Sequence, residues 1–268
     1  MFKKLNFATA GIPLSTKERN TENGIKKVKE LGLDGMELEF VHSINISKEK
    51  APEIKKIAEQ NEVILSCHAP YYINLNAKEK QKLEASKKRI IKSAEIAFLC
   101  GAKTVTFHPG FYLKEPEKKV FEKIKKEIKE IRGALDEKRI DILLSPETTG
   151  KPSQFGSLEE LTELSKEIEG VQPCIDFSHL HARSNGKMNS FEEFRGALEL
   201  VEKELGKKYL NQMHLHASGI NYGEKGEKNH LILKESDFKF KELIKALKEF
   251  NVKGQLVCES PNIEIDAL

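Results

Sequence analysis

The sequence predicts an α/β chain closed into a single (β/α)8 barrel, on three observations. Eight short β-branched or apolar runs recur along it, charged segments with helical spacing lie between them, and its 268 residues suit the roughly 250 of one such barrel. An open doubly wound sheet has the same local signals, and the count of eight favours closure. In order, the run at 5–9 precedes a helix over 22–31, and the run at 35–40 a helix over 48–60. The run at 63–67 precedes a helix that Asn76 caps and Gly101 stops, with Leu83, Ile90, Ala94 and Ala97 along one side. Runs at 104–107, 140–144, 172–175 and 210–215 alternate with helices over 116–136, 158–168, 191–205 and 238–250, and the eighth run is 255–258. Nine residues follow Glu259, too few for an ordinary outer helix. The seam after the last strand is therefore expected to be thinly covered, or covered by a second copy of the chain, with a monomer the simpler expectation. No linker, short repeat or low-complexity tract divides the sequence, so residues 1–268 read as one domain.

Composition excludes little but narrows the setting. Lys+Arg 45 against Asp+Glu 42 gives a net charge of +3, too mild to argue for or against nucleic acid. No apolar run approaches the roughly 20 residues of a membrane span, and no apolar segment follows Lys3 and Lys4, so a cytoplasmic protein without a membrane partner is expected. Cys67, Cys100, Cys174 and Cys258 form no CxxC pair and are expected to be buried, reduced thiols.

The informative pattern is where ligand-type residues fall. His68, His108, Glu147, Asp176, His214 and Glu259 each stand at or near the end of one of six consecutive strand candidates. In a barrel those ends converge on one mouth. Any one of these histidines alone is more simply a core or loop residue, but six matching positions are not so easily dismissed. Three carboxylates and several imidazoles crowded at one mouth need compensation, and divalent metal ions supply it. A nitrogen and oxygen shell suits zinc or manganese. His181 and His216 flank ligand motifs and read as supporting or loop residues, His42 as a loop residue, and the lysines at 225 and 228 as part of a solvated turn.

The segments Cys67-His68-Ala69-Pro70-Tyr71-Tyr72, Phe107-His108-Pro109-Gly110, Pro146-Glu147-Thr148-Thr149-Gly150, Ile175-Asp176-Phe177-Ser178-His179, Met213-His214-Leu215 and Glu259-Ser260-Pro261 resemble the endonuclease IV family. That family comprises (β/α)8 metalloenzymes that incise DNA 5′ to abasic sites with a trinuclear zinc cluster. The resemblance implies that His68, His108 and Glu147 hold one zinc ion and that Glu147 bridges to a second, completed by Asp176, His214 and Glu259. His179 and His230 would hold a third. It further implies that Glu147 is catalytic, orienting the attacking water, that damaged double-stranded DNA is the substrate, and that Tyr71 and Tyr72 contact it. The chain departs from the family where an aspartate of the third site is expected and Lys228 stands, with Glu227 adjacent. It also lacks any tryptophan, and reads Glu39-Phe40-Val41-His42 where the family carries a DNA-tracking motif.

Two other readings remain. Xylose-isomerase-like sugar isomerases and epimerases share the quartet Glu147, Asp176, His214 and Glu259 around one divalent ion, and a non-catalytic DNA- or metal-binding relative would keep the ligands without turnover. Charge separates the first two. Three carboxylates leave a one-ion site at about −1, whereas two or three ions give about +1 or +3, which suits a phosphodiester.

Overall fold

A computed structural model describes residues 2–268. Its eight barrel strands are β1 Leu5–Ala10, β2 Gly35–Glu39, β3 Ile64–His68, β4 Thr104–Phe107, β5 Leu143–Pro146, β6 Cys174–Asp176, β7 Met213–Ala217 and β8 Gly254–Cys258. They lie in the order β5-β4-β3-β2-β1-β8-β7-β6. Parallel bridges from Leu144 to Val171 and from Glu147 to Cys174 complete the ring between β5 and β6. The predicted barrel is thus the observed one.

The helices are α1 Thr21–Glu30, α2 Ala51–Gln60, α3 Lys80–Leu99, α4 Glu117–Glu137, α5 Leu158–Glu167, α6 Phe177–Arg183, α7 Phe191–Leu205, α8 Lys207–Leu210, α9 Phe240–Glu249 and α10 Glu264–Ala267. Several start where a polar side chain satisfies a free N–H. The Asn20 side chain accepts from Asn23 N at 2.8 Å, and Ser157 with Glu160 forms a reciprocal capping box. Asn76 does not cap α3. It is buried and its amide donates to the carbonyls of Phe111 and Tyr112, bracing the loop after β4, while α3 begins after Glu79. After β8 the outer layer is the single turn α10, pinned where Glu264 accepts from the N–H groups of Leu14 and Ser15.

Strand alternation sorts the core in an unusual way. Leu65, Cys67, Val105, Phe107 and Leu144 point outward into the apolar layer beneath the helices, and Ile175, Leu215 and Leu256 do the same around α7 and α9. Many inward positions are polar: Glu37, Ser66, Thr104, Thr106, Ser145, His214, His216 and Gln255 are all buried, with the apolar Ala8, Cys174 and Val257 among them. Branched apolar side chains usually fill this space. Here the interior is a polar column leading up to the mouth. Among the described residues all four cysteines are free and buried, and no helix is long and apolar enough to cross a membrane.

The approach to β5 is fixed by Arg132 of α4. Its Nη1 and Nη2 donate to the carbonyls of Ile142 and Ile140 at 2.6 and 2.7 Å, and its Nε to Asp136 at 2.9 Å. Arg132→Ala removes two charged bonds to buried carbonyls and is expected to cost about 3 kcal/mol, measured by urea unfolding. A loss under about 0.5 kcal/mol would show that those carbonyls find water instead.

Candidate metal centre

Glu147, directly after β5, is fully buried at the centre of the mouth. Its Oε2 lies 3.1 Å from His68 Nε2 and 3.4 Å from His108 Nε2, and its Oε1 lies 3.2 Å from His179 Nδ1 and 3.3 Å from His216 Nδ1. Oε2 therefore faces the His68 and His108 lone pairs and Oε1 faces His216, the arrangement of a carboxylate that can bridge two cations, with the His179 Nδ1 side against Oε1 as well. His68, His108 and Glu147 form one convergent donor group; Glu147, Asp176, His216 and Glu259 form another; Asp176, His179 and His230 form a third. Donor atoms bonded to one ion at about 2.0–2.2 Å stand roughly 3–3.5 Å apart, close to these separations.

The imidazoles are oriented to present lone pairs. Nδ1 of His68 lies 2.8 Å from the carbonyl of Ala69, Nδ1 of His179 2.9 Å from that of Thr148, and Nδ1 of His230 3.2 Å from that of Glu259. Each Nδ1–H is donated to backbone, which leaves Nε2 free. Asp176 divides its carboxylate: Oδ1 accepts from His179 N at 2.7 Å, capping α6, and Oδ2 is buried without a partner. This cap places His179, three residues on, beside Asp176. Glu147 Oε1, Glu259 Oε2, His108 Nδ1 and His216 Nδ1 are likewise buried and unpartnered. Of these, Glu147 Oε1 and His216 Nδ1 face each other at 3.3 Å, and orphaned buried atoms so placed fit a divalent ion.

At the third group the hairpin Gly219–Gly223 with Gly226–Leu231 folds over the mouth. Its register shifts between Asn221 and Tyr222, which pair with Asn229 and Glu227, so Lys228 is the extra residue of a β-bulge. Regular alternation would put residue 228 on the same face as His230. The bulge puts Glu227 there and leaves Lys228 exposed. Glu227 Oε2 lies 3.6 Å from His179 Nε2, and Oε1 4.0 Å from His230 Nε2; the two Nε2 atoms are 3.4 Å apart. Gly150 makes the approach possible, because a Cβ there would meet the Glu227 Cβ at 2.6 Å.

Burial and charge oppose each other across the site. Burial pulls the His68 pKa down, but Glu147 outweighs it and takes the group up to about 10. Burial takes His108 down to about 4 and raises Asp176 to about 6. Glu259, which burial would raise, is brought down to about 2 by His216. Burial and the neighbouring Glu37 push Glu39, at the end of β2, up to about 8. Ions that replace the shared protons would relieve this conflict. A cavity of about 250 Å³, lined by His68, Tyr71, His108, His179, Glu227, His230 and Glu259, gives access. A larger cavity of about 850 Å³ opens at the opposite end of the barrel, away from this chemistry.

Of the residues singled out from sequence, His68, His108, Glu147, Asp176, His179, His230 and Glu259 come together. His214 does not join them. It lies one layer deeper in the barrel, with Nε2 2.9 Å from Glu37 Oε2 and Nδ1 3.4 Å from Thr104 Oγ1, and the mouth position on β7 belongs to His216. The reason is strand length: β7 runs to Ala217, two residues beyond the expected end, so the last inward histidine is His216. Glu37 and Glu39 were missed as well, and alternation from Glu37 to Glu39 was the available signal; Glu227, noted beside Lys228, does reach the third group. Tyr71 and Tyr72 are 57% and 68% exposed, free to meet a ligand, and Tyr71 stands 6.0 Å from the His68 ring. His181 is buried away from the mouth, its Nε2 3.0 Å from Asp237 Oδ1.

The model of the xylose isomerase-like TIM barrel family matches residues 25–267. An uncharacterized protein of Methanocaldococcus jannaschii is 44% identical over 264 residues, 98% of this chain and 94% of its own length. A probable endonuclease 4 of Mycoplasma genitalium is 22% identical over 221 residues, 80% of this chain and 72% of its own. A D-tagatose 3-epimerase-like protein shares the barrel with a TM-score of 0.75 at 21% identity, over 98% of this chain and 93% of that one. Endonuclease IV from Thermus thermophilus does so with a TM-score of 0.69 at 19% identity, over 97% and 95%. On the match over residues 25–267, the chain belongs to the xylose isomerase-like TIM barrel family.

Proposed function

We propose that the protein is a multinuclear, zinc-dependent phosphodiesterase that hydrolyses the DNA backbone 5′ to abasic sites. The observation that carries the reading is the pair of donor groups lying outside the quartet Glu147, Asp176, His216 and Glu259: His68 with His108, and His179 with His230 and Glu227. A sugar epimerase needs only the quartet and one ion. With Glu227 counted, three divalent ions would leave the mouth at about +2, suited to an anionic ester, and two ions would leave it near neutral. Zinc fits the nitrogen and oxygen donor set, and manganese is the second choice.

Bound ions of this kind supply Lewis acidity and lower the pKa of water. The chain's own part is to hold Glu147 between the donor groups, where it orients the attacking water, and to exclude other solvent from a small, buried mouth. Tyr71 at the rim offers a face for stacking on a nucleotide beside the lesion. Tyr71→Ala is expected to weaken binding to abasic duplex about tenfold with metal content unchanged, read by fluorescence anisotropy and elemental analysis. Unaltered affinity would remove the tyrosine from the interface.

The epimerase reading is favoured by the fold match to the D-tagatose 3-epimerase-like protein. One experiment separates them. The purified protein, reconstituted with zinc or manganese, is assayed on an abasic duplex and on a set of ketohexoses, with bound metal counted in parallel. Two or three ions and a nick 5′ to the lesion are expected; one ion with ketose turnover would transfer the site to carbohydrate chemistry. Full metal content with neither activity would mark a non-catalytic relative.

A further inference from the structure

The mouth imidazole of β7 has no backbone carbonyl to turn to. His68, His179 and His230 lean on Ala69, Thr148 and Glu259, whose carbonyls lie beyond barrel-strand ends. His216 sits inside β7, whose two edges are both in parallel ladders, with β8 on one side and β6 on the other. Facing it across the interior is Glu37 of β2, fully buried. Nε2 of His214 is hydrogen-bonded to Glu37 Oε2 at 2.9 Å, and Nε2 of His216 approaches Oε1 to 3.0 Å as an ion-pair contact without hydrogen-bond alignment. The two Nε2 atoms are 3.2 Å apart. A buried carboxylate against two imidazole nitrogens is stable only if those nitrogens carry protons, since a lone pair turned toward it would repel it.

We infer that Glu37 is a positioning residue for the metal centre: its carboxylate, forked across His214 and His216, fixes His216 with the proton on Nε2 and so turns the Nδ1 lone pair into the mouth. The inference rests on the reading of the mouth as a metal centre. It explains why His216 Nδ1 is buried without a partner, 3.3 Å from Glu147 Oε1 and 3.4 Å from Glu259 Oε1. It also gives His214 a purpose as the second donor on Glu37, with Thr104 Oγ1 at its Nδ1. A charged acceptor behind an imidazole raises its basicity as a ligand more than a carbonyl does.

The test is zinc binding by the full chain with Glu37 and with Glu37→Gln, which keeps the shape and removes the charge. Affinity is expected to fall 10- to 100-fold while the thermal midpoint of the metal-free protein moves little. Unchanged affinity would overturn the assignment. Imidazole 1H–15N spectra of the wild type supply a measurement that needs no variant: a slowly exchanging Nε2 proton on His216 is expected with and without zinc. Its absence overturns the inference even if no variant folds, whereas its presence in a protein that binds no metal supports the fork and counts only against the metal reading. Cobalt substitution closes the remaining alternative, because a thiolate-to-cobalt band would mean an ion held between Cys174, His214 and His216, which their proximity permits, and would overturn the role given to Glu37.

Discussion

On the proposed function, Glu147→Gln should abolish the centre as a working unit, lowering phosphodiester cleavage by about a thousandfold or more and releasing at least one zinc ion. Both carboxylate oxygens are engaged, Oε2 with His68 and His108 and Oε1 with His179 and His216. An amide has one oxygen to offer, so either His68 with His108 or His216 is left facing an NH2 group. Removing a preorganised charged group beside the reacting atoms costs on the order of 10²–10³-fold by itself, and loss of general-base orientation adds to it. The variant should remain folded, because the ring closure at this point is made by backbone, with Thr148 N donating to Cys174 O at 3.0 Å. Elemental analysis, far-ultraviolet circular dichroism and a cleavage assay on an abasic duplex together decide it. A folded variant with its full complement of zinc and undiminished cleavage would remove Glu147 from the bridging role.

The architecture and most of this mouth could be read from the sequence for a reason that lies in strand geometry. Parallel barrel strands all end on one rim, so a histidine or carboxylate just after an apolar run is placed there whatever its partners are. His68, His108, Glu147, Asp176 and Glu259 are of this kind. What failed depends on distances the chain cannot display in one dimension. His214 and His216 have the same parity on β7, and only the extent of pairing with β8, in which Gln255 faces His214 and Val257 faces His216, tells which is nearer the rim. Asn76 resembles a helix cap locally, yet a loop 35 residues away takes its amide. Glu37 reads as one polar residue in a buried strand until the two imidazoles from β7 appear opposite it.

If the mouth holds three ions as proposed, Glu227→Ala should remove one of them and lower cleavage roughly a hundredfold, while Lys228→Ala should leave the metal count as it was. The resemblance to the endonuclease IV family implies a carboxylate where Lys228 stands, and a cation there would oppose metal binding. The bulge reverses this. With one extra residue in the second arm of the hairpin, the side chains at 227 and 230 share the inner face and the lysine is turned to solvent. Backbone fixes the arrangement: Glu227 N donates to Gly150 O at 2.9 Å, and Gly226 takes φ +87°, with a Cβ there meeting Gly150 O at 2.2 Å. Gly150→Ala is therefore expected to reproduce the Glu227→Ala loss without removing any donor atom, since its methyl would occupy the space of the Glu227 side chain. If Glu227→Ala keeps three ions, or if Lys228→Ala gains or loses one, the bulge has no part in metal binding and His179 with His230 must hold their ion by other means.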